Sequence, residues 1–315
     1  MPIKLRREEV ASERAAVQQL LLQARNVGDS LGKRQFEQRL RELDDELRVL
    51  GQANEKTASA ALFFSGPKVI GSRGIEADFA GDALEKFQDL VSKRFARREV
   101  GVLGARGPIA ARGDSKLMVT GVTRGSFGFV LEEVNDQQQI TETQLHDVVS
   151  DVVDLMAKIS DPQEDIFLEA VAEIDSRMLT STRAFFNTLS SAQASVKIVE
   201  GDREISLGRD DIQRAKERTE GLEVSEQDNV QMAGLLYGLL PAHRRFEFVV
   251  DGSGENLSGK VAADASRAMG DQLLGGLFNP IGKRWLAEFD LREVTRPGRP
   301  TRRFYTLLRL LNELP

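Results

Sequence analysis

Five large apolar residues, Phe36, Leu40, Leu43, Leu47 and Leu50, recur at alternating steps of four and three, and the positions between them are mostly Arg, Glu, Asp and Gln. That spacing places one apolar stripe along one side of an α-helix, and a stripe this narrow is stable in water only against another helix. Upstream, Val10, Glu13, Val17, Leu20, Ala24, Val27 and Leu31 keep the same rhythm. Gly28-Asp29-Ser30 and Gly32 interrupt the pattern: Gly28 can end one helix in the left-handed conformation, and Asp29 or Ser30 can cap the next. The expectation is a helical hairpin or coiled-coil arm over residues 1–56, with one continuous helix carrying a local irregularity as the alternative. Its Phe36/Leu40/Leu43/Leu47/Leu50 seam is assigned to packing against a helix of the same chain or to oligomerisation.

Beyond residue 56 the period changes. Ala60–Phe64, 68–71, 117–123 and 126–134 read as strands, with 68–71 expected to pair with Ala60–Phe64 across Ser65-Gly66-Pro67. Helical spacing covers 76–97, 141–159, 162–190 and 209–219, with Thr141-x-x-Gln144 as a capping box and a hairpin over Glu200-Gly201-Asp202. Residues 57–222 therefore predict a mixed α/β domain. From 223 to 315 the order is three strands (230–240, 244–250, 257–263), a helix at 264–274 and two strands (283–294, 302–311). That order suits a small β-barrel, OB-like or SH3-like. Phe246, Phe248 and Val250 share one strand face, as do Trp285, Ala287, Phe289 and Leu291. The fold class is α+β.

Composition narrows the chemistry. There is no cysteine among the 315 residues, which removes thiolate nucleophiles, disulfides and Cys-type metal sites. The two histidines, His146 and His243, each lack the spaced partners that a metal site or a catalytic triad needs. The charged N-terminus runs into no apolar leader and no stretch reaches a membrane span, so the expectation is a cytoplasmic protein. Aromatics are 6% and mostly Phe, leaving few rings for base stacking.

Motifs fare no better as catalysts. Gly101, Gly104 and Gly107 lie between a helix and a strand, the reverse of a phosphate-binding loop, and read as a connector. Arg124-Gly125-Ser126-Phe127-Gly128-Phe129 leads into a strand and reads as a tight turn, not a nucleophile elbow. Gly282-Lys283 is followed by Arg284, so it is no P-loop.

Charge is segregated on a chain of net charge −6. Residues 132–175 hold thirteen carboxylates and a single cation, Lys158, with Asp147, Asp151 and Asp154 on one helical face. From Gly282 onward there are eight basic residues against four acidic ones. Arg296, Arg299, Arg302 and Arg303 crowd one Pro-Gly turn, where forked guanidinium groups suit phosphate or carboxylate. With Arg244 and Arg245 they form the expected contact for nucleic acid or an acidic partner surface.

The reading is a non-enzymatic interaction protein: an oligomerising or partner-docking arm, an α/β body and a basic recognition barrel, with no cofactor and no membrane. A carboxylate-rich, metal-dependent hydrolase using 132–175 with Lys116 or Arg124 is one alternative. A structural subunit of a larger assembly is the other.

Overall fold

The computed structural model describes residues 1–100, 112–123, 127–134, 141–262, 265–269 and 279–315. The glycine loop at 101–107, the Arg124-Gly125-Ser126 turn and part of the 264–274 helix lie outside those residues. Contacts divide the chain into two units, one of residues 1–170 and 180–219, the other of 171–179 and 220–315.

In the first unit, α1 (Ile3–Val27) ends at Gly28, whose φ of 75° is the left-handed geometry that glycine adopts without a Cβ penalty. Asp29 then caps α2 (Ser30–Gln52), accepting bonds from the Leu31 and Gly32 amides. The two helices pack together along Val10, Val17 and Leu43, with Phe36, Leu40, Leu47 and Leu50 packed around them. The seam is thus filled by α1 of the same chain. On α1 the buried row runs through Leu21, while Leu20 and Val27, expected on the stripe, are exposed, as is Leu31 in the first turn of α2.

A five-stranded antiparallel sheet follows, ordered β4-β5-β1-β6-β7 from β1 (Ser59–Ser65), β4 (Met118–Thr123), β5 (Phe127–Glu132), β6 (Ser195–Glu200) and β7 (Arg203–Leu207). β1 lies at its centre, and six of its seven residues are buried. Ala61 and Phe63, with Val130 and Val199, meet Met1 and Leu5 from the root of α1 on one face. Phe64, on alternate parity, meets Phe79 edge-on at 5.5 Å. Phe79 belongs to α3 (Ala77–Val100), which packs beside α4 (Gln144–Ser160).

Three expectations change here. Both edges of β1 are taken by β5 and β6, so residues 68–71 pair elsewhere: β2 (Val69–Ile70) turns back onto β3 (Gly74–Ile75). The helix expected over 162–190 is two helices, α5 (Glu164–Val171) and α6 (Ser176–Ser191), because Asp175 caps a new start by accepting from the Met178 amide at 2.7 Å. The cap of α4 is Thr143, bonded to the His146 amide, and not Thr141. The first unit closes with α7 (Arg209–Glu220), its first turn led by Asp210 and Asp211.

The second unit holds β8 (Glu223–Leu240), β9 (Arg245–Val250), β10 (Asn256–Val261), β11 (Arg284–Arg296) and β12 (Arg299–Leu314). Pairing runs β10-β12-β11-β8-β9 and returns to β10, a closed ring in which only β10 and β12 are parallel. Phe246, Phe248 and Phe289 stack inside it at 5.2–5.4 Å between centroids, with Trp285, Leu307 and Tyr305 around them. At the parallel contact the backbones close up on Gly259: a Cβ there would lie 2.1 Å from the Tyr305 carbonyl oxygen.

Candidate functional site

The six arginines singled out from sequence fall into two groups. Arg296 and Arg299 face each other across the β11–β12 turn at Pro297-Gly298, where Gly298 has φ 72°. Arg302 and Arg303 follow on β12. Arg303 donates to Glu293 at 2.8 Å, and that carboxylate holds its pKa above the usual value. Arg299 and Arg302 are exposed and have no side-chain partner among the described residues.

The other group lies around the turn Pro241–His243 between β8 and β9. Arg244 takes the left-handed conformation at φ 52° and donates its Nε to the Val261 carbonyl at 3.1 Å, which fixes its stem against β10. Arg245 stands opposite Lys260 across β9–β10 and opposite Leu240 across β8–β9. All three are exposed, one row crossing three strands. The next row is Gly238, Glu247 and Ser258. Register separates the two groups: Lys260 is level with Thr306, four residues along β12 from Arg302 and seven from Arg299. At about 3.3 Å per residue, the gap is roughly 13 to 23 Å.

Like charges directly opposite on neighbouring strands repel, so the Arg245–Lys260 pair costs stability unless something anionic sits over it. Glu173 supplies part of that, accepting from Lys260 Nζ at 3.0 Å, whereas Arg245 has no side-chain partner among the described residues. Beside the pair lies a groove of about 680 Å³ lined by Gly238, Leu240, Arg245, Glu247, Lys260 and Ile281.

Sequence reasoning missed one residue of this face. Pairing of β8 with β9 slips between Leu236 and Gly238, which makes Tyr237 the bulged residue, and its side chain is 65% exposed. A bulge re-aims the side chain it carries, here outward and next to the groove. The available signal was a tyrosine set between buried Leu236 and Leu239, with a glycine beside it.

The helical face of the acidic segment is held by ion pairs. Asp151 accepts from Arg94 at 2.8 Å, Asp147 from Arg98 at 2.7 Å and Asp154 from Arg203 at 2.7 Å. Glu132 is paired with the Met1 amine, and Glu133 accepts from the Ala58 amide and the Thr143 hydroxyl. One triad there, Glu142, His146 and Asp147, brings its ligand atoms within 4.8 Å of one another. It sits at the N-terminus of α4, whose partial positive charge opposes a cation, and Arg98 already holds Asp147. Lys116 is exposed, Arg124 lies outside the described residues, and His243 is exposed on its turn.

No protein-family model, curated protein or solved structure matches this chain. Among the described residues no helix is long and apolar enough to cross a membrane.

Proposed function

We propose that the chain is an interaction protein whose C-terminal barrel binds single-stranded nucleic acid across β9 and β10. The observation that carries this is the outward row of Leu240, Arg245 and Lys260 with Tyr237 projected beside it. Cations beside an exposed ring are what a sugar-phosphate chain with unstacked bases requires. Numbered from β8, the ring order is 1-2-3-5-4-1 with strands 3 and 5 parallel. This favours the OB-like barrel over the SH3-like one. OB barrels bind oligonucleotides on strands 2 and 3 and on the loops after strands 1 and 4. Those loops correspond here to the Arg244 turn and the Arg296–Arg299 turn. The gap between the two arginine groups suits a ligand several nucleotides long, within the range of one such barrel.

An acidic protein surface is the second reading, because forked guanidinium groups accept carboxylates as readily as phosphates. Titration with a fluorescent mixed-sequence oligonucleotide at two salt concentrations separates the two. Nucleic-acid binding should weaken steeply with salt, and Tyr237→Ala should cost about 1–3 kcal/mol of affinity. An oligonucleotide that fails to bind even at low salt sinks the proposal. The arm, in the same reading, is a docking device.

A further inference from the structure

The outward face of β9 carries one charged residue that phosphate binding does not use. Glu247 stands between Gly238 on β8 and Ser258 on β10, in the row next to Leu240, Arg245 and Lys260. It is exposed, and among the described residues its carboxylate has no hydrogen-bond or ion-pair partner. Yet Arg245 is two residues away on the same strand face and Lys260 lies on the diagonal. The direction of the side chain explains this. A Cβ at Gly238 would lie 3.5 Å from Glu247 Oε2, so the carboxylate reaches across to β8 and lies over the glycine, away from Lys260. Tyr237, the exposed bulge residue, immediately precedes that glycine. Glu247, Gly238 and Ser258 line the same groove of about 680 Å³ as Arg245 and Lys260.

A carboxylate here opposes most anions. It repels a phosphate, and it repels an acidic protein surface equally, so neither ligand by itself accounts for it. Nor does it serve Lys260, whose ammonium is met by Glu173 at 3.0 Å. What a single strand offers besides phosphate is base edges, and a carboxylate is acceptor-only, with two oxygens side by side. The bases differ in what they present to such a group. Guanine carries two adjacent donors on its Watson–Crick edge, N1–H and the N2 amino group, at the spacing of two carboxylate oxygens. Adenine and cytosine each set one amino group beside an unprotonated ring nitrogen, which repels a carboxylate. Uracil and thymine set one N–H between two carbonyls.

We infer that Glu247 selects guanine: a base resting against Tyr237 turns its Watson–Crick edge to the carboxylate over Gly238, while Arg245 and Lys260 hold neighbouring phosphates. This rests on the barrel binding single-stranded nucleic acid and adds which base it prefers. The two groups divide the task. Stacking on the ring accepts any base, and the charge-assisted pair to the carboxylate discriminates. Gly238 belongs to the arrangement, because a side chain longer than alanine's would push the carboxylate off β8.

Three fluorescent oligonucleotides of about 12 nucleotides, none able to pair with itself, test this. One alternates thymine and guanine, and one alternates thymine and cytosine. The third repeats the first with hypoxanthine for guanine, which keeps N1–H and lacks the N2 amino group. Potassium is left out so that guanines do not assemble into quartets. Wild type should bind the guanine strand on the order of 10-fold more tightly than the cytosine strand, with the hypoxanthine strand between them. Glu247→Gln should bind the guanine strand more weakly and the cytosine strand more tightly, since it removes a matched acceptor in one case and a repulsion in the other. A carboxylate that only repels would, on the same change, tighten all three alike. That uniform tightening, or equal wild-type affinities for the guanine and cytosine strands, overturns the inference and leaves the barrel reading in place. If none of the three binds at low salt, both fall. The hypoxanthine comparison uses wild type alone, so it decides even should Glu247→Gln fail to fold.

Discussion

At the scale of single residues, the most consequential group outside the barrel is Glu55, between the arm and the first strand. It is half-buried, one carboxyl oxygen accepts from the Ile3 amide, and the other is shielded from water with no hydrogen-bond partner among the described residues. Burial, aided by the nearby Glu200 carboxylate, pushes its pKa up to about 7, against the Ile3 bond, the N-terminal amine and His146, which favour the charged form. The folded state therefore holds this proton more tightly than the unfolded chain, where the value is 4.5. Stability from this group is greatest below 4.5, falls as pH rises through the window to about 7, and stays reduced above it. Glu55→Gln keeps the acceptor for Ile3 and removes the titration. Partial exposure screens the cost, so the expected gain at pH 8 is about 2–4 °C in midpoint. At pH 4.5 the variant should match wild type, and thermal scans at the two pH values check both. A gain of equal size at both would show that charge at Glu55 is not its source.

At the scale of elements, the arm shows how far periodicity alone reaches. Gly28 and Asp29 ended and restarted the helices where their backbone preferences require, and the Phe36–Leu50 spacing located the packed side of α2. What periodicity could not give was rotation: Leu20 and Leu21 are neighbours of equal hydrophobicity, and only the partner helix decides that Leu21 goes inside. Leu43 is fully buried and Leu31 mostly exposed, although both continue one sequence rhythm. Leu43→Ala should cost about 2–5 kcal/mol in urea unfolding, and Leu31→Ala should stay within about 0.5 kcal/mol. Comparable losses for the two would mean that the hairpin packs on a different side. The β2–β3 hairpin and the α5–α6 break were illegible for a related reason. A two-residue strand has no period to detect, and Asp175 marks a helix start only once its side chain is seen on the Met178 amide.

At the scale of the whole molecule, charge counted along the sequence was a poor guide to charge in space. The thirteen carboxylates of 132–175 looked like an open acidic field, yet the Asp147, Asp151 and Asp154 face is held by Arg98, Arg94 and Arg203, contributed from α3 and β7. Those partners lie some fifty residues away, so no local window could have paired them. The barrel arginines were legible as a cluster around one turn, but their separation from Arg245 follows from the β10–β12 register, which sequence does not specify. The consequence can be measured. If one strand of nucleic acid crosses both groups, Arg245→Ser with Lys260→Ser should lower the log–log salt slope by about 0.7 per lost contact. Arg299→Ser with Arg302→Ser should do the same, and the four changes together should add, because the groups lie roughly 13 to 23 Å apart. Shortening the oligonucleotide tests the geometry directly. A ligand too short to span the gap should lose its sensitivity to one pair while keeping its sensitivity to the other. If Arg299 and Arg302 prove silent at every length, the ligand path is confined to β9, β10 and Tyr237. If instead both pairs are silent while Tyr237→Ala weakens binding, the contact is stacking without phosphate, and the electrostatic half of the proposal is wrong.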